Sequence, residues 1–109
     1  MTTLQEKKCL PCEGGVDPLS HAESEKLLGQ LNKWHLSEDG KTITKAYSFK
    51  NFYHTMSFVN AIAFIANQEN HHPDMEVGYD YCRVTFMTHA IGGLSENDFI
   101  CAAKIDDLG

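Results

Sequence analysis

A long apolar segment that ends near a proline is the feature that most constrains how this chain can fold. Residues Phe49 to Asn70 carry apolar side chains at helical spacing, and Pro73 lies just beyond them. The spacing predicts an α-helix that ends before the proline, because a residue preceding proline disfavours the α conformation. One apolar stripe comprises Phe52, Met56, Val59, Ala63 and Ala66, and a second comprises Phe58, Ile62 and Ile65. A helix that is apolar on two sides is buried on two sides, so we expect one side to meet another subunit.

A hairpin is predicted on each side of this helix. The turn before the helix contains Asp39-Gly40, a dipeptide typical of tight hairpins, and the turn after it lies near Asp80. The predicted strands are Trp34–Leu36, Thr42–Phe49, Met75–Tyr79 and Cys82–Thr88. With a helix at each end, the order α-β-β-α-β-β-α predicts an α+β domain. We expect a four-stranded antiparallel sheet with three helices packed on one face.

The first and last helices carry recognisable start signals. The first begins either with Asp17 as N-cap and Pro18 at the first helical position, or with Ser20 and Glu23 as a capping box. The last begins within "SEND" (Ser95–Asp98), where a serine is followed three residues later by a carboxylate. Both alternatives for the first helix remain open at this level.

Composition and charge limit the classes of function. Residues 1–16 contain Pro11, Gly14 and Gly15 and are predicted to be a flexible N-terminal tail, followed by a single domain over residues 17–109. The net charge of -6, without a cluster of Lys or Arg, argues against binding to nucleic acid or to an anionic membrane. No apolar run resembles a signal peptide or a membrane span, so we expect a cytoplasmic protein with reduced cysteines.

Three of the six histidines fall within 19 residues. His71 and His72 end the long helix, and His89 ends the last predicted strand. The partial negative charge at a helix C-terminus favours a protonated imidazole by about 0.3–1 kcal/mol. Histidines that share one rim of the sheet could exchange protons with a ligand near neutral pH. The alternative is that they are ordinary surface residues beside a helix stop.

The residue spacing gives little support for a metal site or for nucleophile or nucleotide chemistry. Adjacent histidines do not easily bind one ion from a regular element, and the HExxH spacing of helical zinc sites is absent. Cys9 and Cys12 have the spacing of zinc ligands, but no second CxxC follows, so a redox-sensitive or adventitious metal site stays an alternative. Gly-rich phosphate loops and the GxSxG nucleophile motif are absent as well.

The stretch "NHHPDMEVGYDYCRVTFMTHAIGGLSENDF" resembles the pterin-4a-carbinolamine dehydratases, and its bacterial members in particular. That family has His-His-Pro after its long helix, Thr-His at the end of its last strand and Gly-Leu-Ser-x-x-Asp at the start of its last helix. The matching residues here are His71, His72, Pro73, Thr88, His89, Ser95 and Asp98. The resemblance covers about Leu19 to Asp106.

The resemblance implies a lyase reaction that needs no cofactor. Its substrate is 4a-hydroxytetrahydrobiopterin, which loses water to give quinonoid dihydropterin. The reaction recycles tetrahydropterin for aromatic amino acid hydroxylases, so it implies a functional link to such a hydroxylase. The other implied partner is a second copy of the chain, in a homodimer or a homotetramer.

The resemblance also implies roles for single residues. His71 and His89 match the acid–base histidines, and His72 matches a histidine that contacts the substrate and shares proton transfer. Asp98 matches a carboxylate that supports a catalytic histidine, and we expect it beside His89. The residues expected to bind substrate are His72, Pro73, Thr88 and Ser95.

Three positions depart from the family pattern. Asn67 stands where many members have a glutamate, Met75 where animal members have a tryptophan, and Asn97 where they often have an arginine. Animal members also act as dimerisation cofactors of a homeodomain transcription factor through a helix face. A protein-interaction module without essential catalysis is therefore the alternative function.

Overall fold

The structure is a computed structural model that describes residues 3–10 and 17–108. Its helices and strands follow the predicted order α-β-β-α-β-β-α. They are α1 (His21–Leu28), β1 (His35–Leu36), β2 (Ile43–Ser48), α2 (Phe52–Glu69), β3 (Asp74–Val77), β4 (Tyr81–Phe86) and α3 (Glu96–Asp106). Two short 3₁₀ turns, Leu4–Glu6 and His89–Ile91, complete the described secondary structure.

The four strands form one antiparallel sheet in the order β1-β2-β4-β3. In the central strand β4, Cys82, Val84 and Phe86 are buried, whereas the alternate residues Tyr81 and Arg83 are exposed. Alternation of this kind places every second side chain on the helix-covered face. The α+β class, the antiparallel sheet and its three helices are therefore confirmed.

Helix α2 starts three residues later than predicted. Asn51 caps it, since its side-chain oxygen accepts a hydrogen bond from the His54 backbone N–H at 2.9 Å. The helix ends at Glu69, and Asn70 takes a left-handed conformation with φ 53°. Ile62 is fully buried on one side of α2. The part of the chain that the structure describes contains no helix long and apolar enough to cross a bilayer.

Capping fixes the start of α1. Ser20 is the N-cap, its hydroxyl oxygen accepts the Glu23 backbone N–H at 3.1 Å, and Glu23 in turn accepts the Ser20 N–H at 3.0 Å. Of the two alternatives, the capping box is therefore the one that forms, and Pro18 lies before the helix.

Residues Thr3–Leu10, here called the N-terminal segment, pack against the domain. Leu4 is only 2% exposed, the turn Leu4–Glu6 lies against α3, and Lys104 Nζ donates to the Gln5 carbonyl at 2.9 Å. This differs from the flexible tail expected for residues 1–16. The breakers behind that expectation, Pro11 and the two following glycines, lie in residues 11–16, outside the described residues.

The last residue of α3, Asp106, ties the sheet to the helices. Its carboxylate accepts hydrogen bonds from Lys45 Nζ at 2.7 Å, from the Tyr47 hydroxyl at 2.7 Å and from Trp34 Nε1 at 3.0 Å. Burial and the bond to Asp106 raise the pKa of the Tyr47 hydroxyl far above its usual range, so the phenol stays protonated. Strand β2, the tryptophan and the end of α3 thus share one partly buried carboxylate.

Candidate active site

A histidine and a buried aspartate form the centre of the candidate site. His71 Nε2 lies 2.6 Å from Asp98 Oδ1, and the Asp98 side chain is fully buried. The imidazole stacks on the Phe86 ring at a centroid distance of 5.8 Å with 10° between the planes. An ionised carboxylate only accepts hydrogen bonds, so Nε2 carries the proton in this contact and Nδ1 is the remaining ring nitrogen.

Asp98 is held by two further donors from its own neighbourhood. Its Oδ2 accepts the Thr88 hydroxyl at 2.8 Å and the Ser95 backbone N–H at 3.0 Å. The Ser95 and Thr88 hydroxyl oxygens lie 2.8 Å apart. Because the carboxylate sits in the first turn of α3, the helix dipole also favours its negative charge. The arrangement fixes the carboxylate before any ligand binds.

A cavity of about 410 Å³ opens in front of this pair. That volume lies in the range of small-molecule sites, about 300–1,000 Å³. The lining residues are Cys9, Leu10, Glu69, Asn70, His71, His72, Met87, Thr88, His89, Ala90 and Asn97. All three histidines predicted from the sequence therefore reach one cavity from two different elements.

The remaining predicted residues do not belong to the cavity lining that the structure describes. Among the described residues, Asp98, Ser95 and Pro73 are not part of the lining, and Pro73 is buried. Ser95 reaches the cavity only through Thr88, to which its hydroxyl is hydrogen bonded. Asp98 likewise acts on the cavity through His71.

Two expectations about His89 need correction. Strand β4 ends at Phe86, and His89 instead opens a 3₁₀ turn that closes at Gly92, whose φ of 66° is left-handed. The carboxylate of Asp98 was expected beside His89, but its hydrogen bond goes to His71. Its second oxygen is already used by Thr88 and Ser95, so the first one faces the end of α2.

Two polar residues of the site were missed in the sequence. Glu69 lines the cavity two residues before His71, with a side chain only 7% exposed, and accepts the Cys9 backbone N–H at 2.8 Å. Asn97, 8% exposed, also lines the cavity and bonds the backbone of Leu10. The sequence signal that could have identified Glu69 as a site residue was its position in the last turn of the long helix, just before the two histidines.

A sequence profile decides the family. The profile of the family described as Pterin 4 alpha carbinolamine dehydratase matches residues 17–108. The chain belongs to this family. Relatives cover nearly its full length: provisionally named pterin-4-alpha-carbinolamine dehydratases of Nitrosomonas europaea and of Legionella pneumophila strain Corby are each 63% identical over 106 residues. These alignments cover 96% of this chain and 92% and 94% of the two relatives, respectively.

Solved structures extend the comparison of this family member to its fold. A structure described as a transcriptional coactivator/pterin dehydratase from Brucella melitensis has TM-score 0.80 and 28% identity, covering 84% of this chain and 98% of that one. A pterin dehydratase-like protein described as a RuBisCO assembly factor in the alpha-carboxysome has TM-score 0.61 and 22% identity, covering 71% and 89%. The second likeness concerns the fold alone.

The departures from the carbinolamine dehydratase pattern fall on different surfaces. Asn67 is exposed on α2, and the described residues that line the cavity do not include it. Met75 on β3 is 36% exposed. Asn97 is the departure that changes the cavity itself, because it both lines the cavity and holds a neighbouring segment.

Cysteines lie beside the cavity without forming a metal site. The sulfur atoms of Cys9 and Cys101 are 3.4 Å apart, and both thiols are free. Across residues 3–10 and 17–108, no three His, Cys, Asp or Glu side chains group so that they could hold a metal ion. The predicted CxxC spacing involves Cys12, which lies outside the described residues.

The buried thiols are expected to resist alkylation. The hydrogen-bonding contact with Cys9 and, as the second cause, burial raise the pKa of the Cys101 thiol. Burial raises the pKa of the Cys82 thiol. The thiolate is the reactive form, so both should react with iodoacetamide at least about tenfold more slowly in the native protein than in urea. Mass spectrometry of peptides after timed labelling at pH 8 measures this. Equal rates in both states would contradict the burial of these thiols.

Proposed function

We propose that the protein is a 4a-hydroxytetrahydropterin dehydratase that works by histidine acid–base catalysis. The observation that carries the proposal is the pair of His71 and the buried Asp98, at 2.6 Å, on a cavity shared with His72 and His89. Membership of the family supports the same reaction class. The product is the quinonoid dihydropterin.

The chemistry suits two imidazoles. One protonated histidine delivers its proton to the 4a-oxygen, the C4a–O bond breaks, and water leaves. The N5 lone pair forms the C4a–N5 double bond, and a second, neutral histidine takes the N5 proton. One proton is given and one is taken, so the step balances without a redox partner. Each positioned proton transfer typically contributes about 10²–10⁴ in rate.

His71 and His89 are assigned to these two transfers. The bond of His71 Nε2 to Asp98 fixes the ring and leaves Nδ1 to exchange the proton. His89 is exposed at the cavity, so water can restore its protonation state after each turnover. His72 is assigned a direct substrate contact and a share in proton transfer, since it lines the same cavity.

Thr88 is proposed as a second direct contact to the pterin. It lines the cavity while its hydroxyl donates to Asp98, so a bound ring lies next to a polar group of fixed orientation. Ser95 and Pro73 are assigned supporting roles in binding. Ser95 orients the Thr88 hydroxyl, and Pro73 follows the two histidines as a buried, rigid residue.

Stopped-flow absorbance tests the proposal directly. A 4a-hydroxytetrahydropterin, generated by a pterin-dependent hydroxylase, is mixed with the protein, and formation of the quinonoid dihydropterin is followed. We expect a first-order rate well above the uncatalysed one at micromolar protein. Free imidazole at the same concentration serves as the control and should not reproduce the acceleration. A rate equal to that in buffer would overturn the proposal.

Recycling of tetrahydropterin for an aromatic amino acid hydroxylase is the proposed physiological setting.

Self-association into a homodimer or homotetramer is proposed to bury the outer side of α2. On that side Tyr53 is 77% exposed and Phe64 is 69% exposed. Large apolar side chains that are exposed together on one helix face mark a candidate contact with another protein. Light scattering after size exclusion measures the oligomeric state.

An interaction module is the second candidate, favoured by the same apolar side of α2. Its partner would be a different protein that contacts Tyr53 and Phe64, which are both exposed. This reading needs no chemistry in the cavity. A protein without dehydratase activity that stays monomeric in light scattering would favour it over the enzyme.

A further inference from the structure

We propose that the N-terminal segment is a wall of the catalytic cavity and that Asn97 is the positioning residue that holds it there. The inference deepens the proposed function, on which it rests. Cys9 and Leu10 line the cavity together with the three histidines, although they precede the region matched by the family profile, residues 17–108. The pterin is therefore expected to contact residues on both sides of that boundary.

A reciprocal pair of hydrogen bonds fixes the backbone of Leu10 on both sides of its Cα atom. The Leu10 N–H donates to Asn97 Oδ1 at 3.0 Å, and Asn97 Nδ2 donates to the Leu10 carbonyl at 2.6 Å. A primary amide offers one donor and one acceptor side by side, which a carboxylate or a hydroxyl does not. Asn97 is 8% exposed, so water competes little for these bonds.

A second anchor holds the preceding residue. The Cys9 N–H donates to Glu69 Oε1 at 2.8 Å, and the sulfur of Cys9 touches that of Cys101. Glu69 belongs to the last turn of α2 and Asn97 to the first turn of α3. These two helix ends also present His71 and Asp98, so the wall and the catalytic pair are set by the same elements.

Leu10 gives this wall an apolar surface. Leu10 is 74% exposed and lines the cavity together with the three histidines and Thr88. An aromatic ring that enters the cavity can cover this side chain, and covering apolar surface favours binding. The hydrogen bonds of Leu10 go to Asn97 and not to the His71–Asp98 pair, so its contribution should appear in substrate affinity rather than in the chemical step.

Substitution of Asn97 tests the wall by steady-state kinetics. For Asn97→Ala we expect KM to rise about 5–30-fold, because the released N-terminal segment no longer contacts the bound ring. We expect kcat to stay within about threefold, because uniform binding is lost rather than transition-state stabilisation. Asn67→Ala is the matched control, since Asn67 is exposed and outside the described lining. An Asn97→Ala enzyme with unchanged KM would overturn the inference.

A double variant shows whether Asn97 acts through Leu10. If it does, Asn97→Ala combined with Leu10→Ala should raise KM no more than Asn97→Ala alone. Additive increases would mean that Asn97 contacts the substrate by itself, which contradicts its role as a positioning residue. Leu10→Ala removes only an exposed side chain and should fold, so it remains informative if Asn97→Ala does not. Its KM should rise by about 3–10-fold, and an unchanged KM would contradict the wall.

The experimental outcomes distinguish a failure of this inference from a failure of the proposed function. If the native chain does not accelerate dehydration, the function is wrong and the variants carry no kinetic information about it. In that case, fluorescence titration with 7,8-dihydrobiopterin, which does not react, still compares binding to native and Leu10→Ala protein. If the native chain catalyses but Leu10→Ala binds this pterin as tightly as native protein, only the wall is refuted.

Discussion

Replacement of His71 by alanine is expected to lower kcat for dehydration by about 10²–10⁴-fold, the usual contribution of one positioned acid–base group. The ring of His71 is held by two contacts. Its Nε2 is hydrogen bonded to Asp98 at 2.6 Å, and its face stacks on the Phe86 ring. Its orientation is set before substrate binds, so its loss removes a group that is already aligned. Stopped-flow turnover under saturating substrate measures the effect.

The controls separate lost chemistry from lost structure. His35→Ala removes an exposed histidine on β1 and should leave kcat unchanged. Added imidazole should restore part of the activity of His71→Ala, because the vacated space adjoins the cavity. Urea titration checks that the variant is folded, since Asp98 loses one of three hydrogen-bond partners. A folded His71→Ala enzyme with native kcat would refute the assignment of His71.

Short sequence patterns predicted much of the secondary structure around His71. The spacing of Ser95 and Asp98 placed the start of α3, because a carboxylate at the third helical position satisfies the N-cap backbone. The Asp39-Gly40 dipeptide placed the first turn, where Gly40 has the left-handed φ of 70°. Such features depend on residues within four positions of one another, and sequence inspection captures them well.

The sequence did not show which side chains pair with each other across the fold. Asp98 could have supported either histidine at the rim, and the decision depends on Thr88, which occupies one carboxylate oxygen and turns the other toward α2. The resemblance to the family named the residues but not this pairing. Long-range geometry of this kind depends on how α2 and α3 pack, which no spacing in the sequence encodes.

The N-terminal segment shows the same limit in another form. Breakers after Leu10 suggested a tail, yet Leu4 enters the core and two side chains from distant helices hold Cys9 and Leu10. One buried leucine among polar neighbours gives no periodic pattern, so hydrophobic periodicity could not detect it. Glu69 was overlooked for a related reason, since its partner lies 60 residues away.

The carboxylate of Asp106 is expected to have the largest effect on stability. Asp106→Ala should lower the free energy of unfolding by about 2–4 kcal/mol, because it removes one partner of a largely buried ion pair and the acceptor of two further hydrogen bonds. The ammonium group of Lys45, whose side chain is only 12% exposed, then loses its counter-charge at 2.7 Å. The hydroxyl of Tyr47 and the indole N–H of Trp34 lose their acceptor as well.

Guanidinium chloride titration followed by the fluorescence of Trp34, the only tryptophan, measures this loss at the site where it arises. Asp106→Asn keeps an acceptor for the indole and the phenol but removes the charge, so its loss should lie between zero and that of alanine. Asp107→Ala, at an exposed neighbour, should change the free energy of unfolding by less than about 0.5 kcal/mol. If Asp106→Ala were no more destabilising than Asp107→Ala, the carboxylate would not hold β2 and α3 together. If asparagine matched the native residue, hydrogen bonding alone would account for the junction.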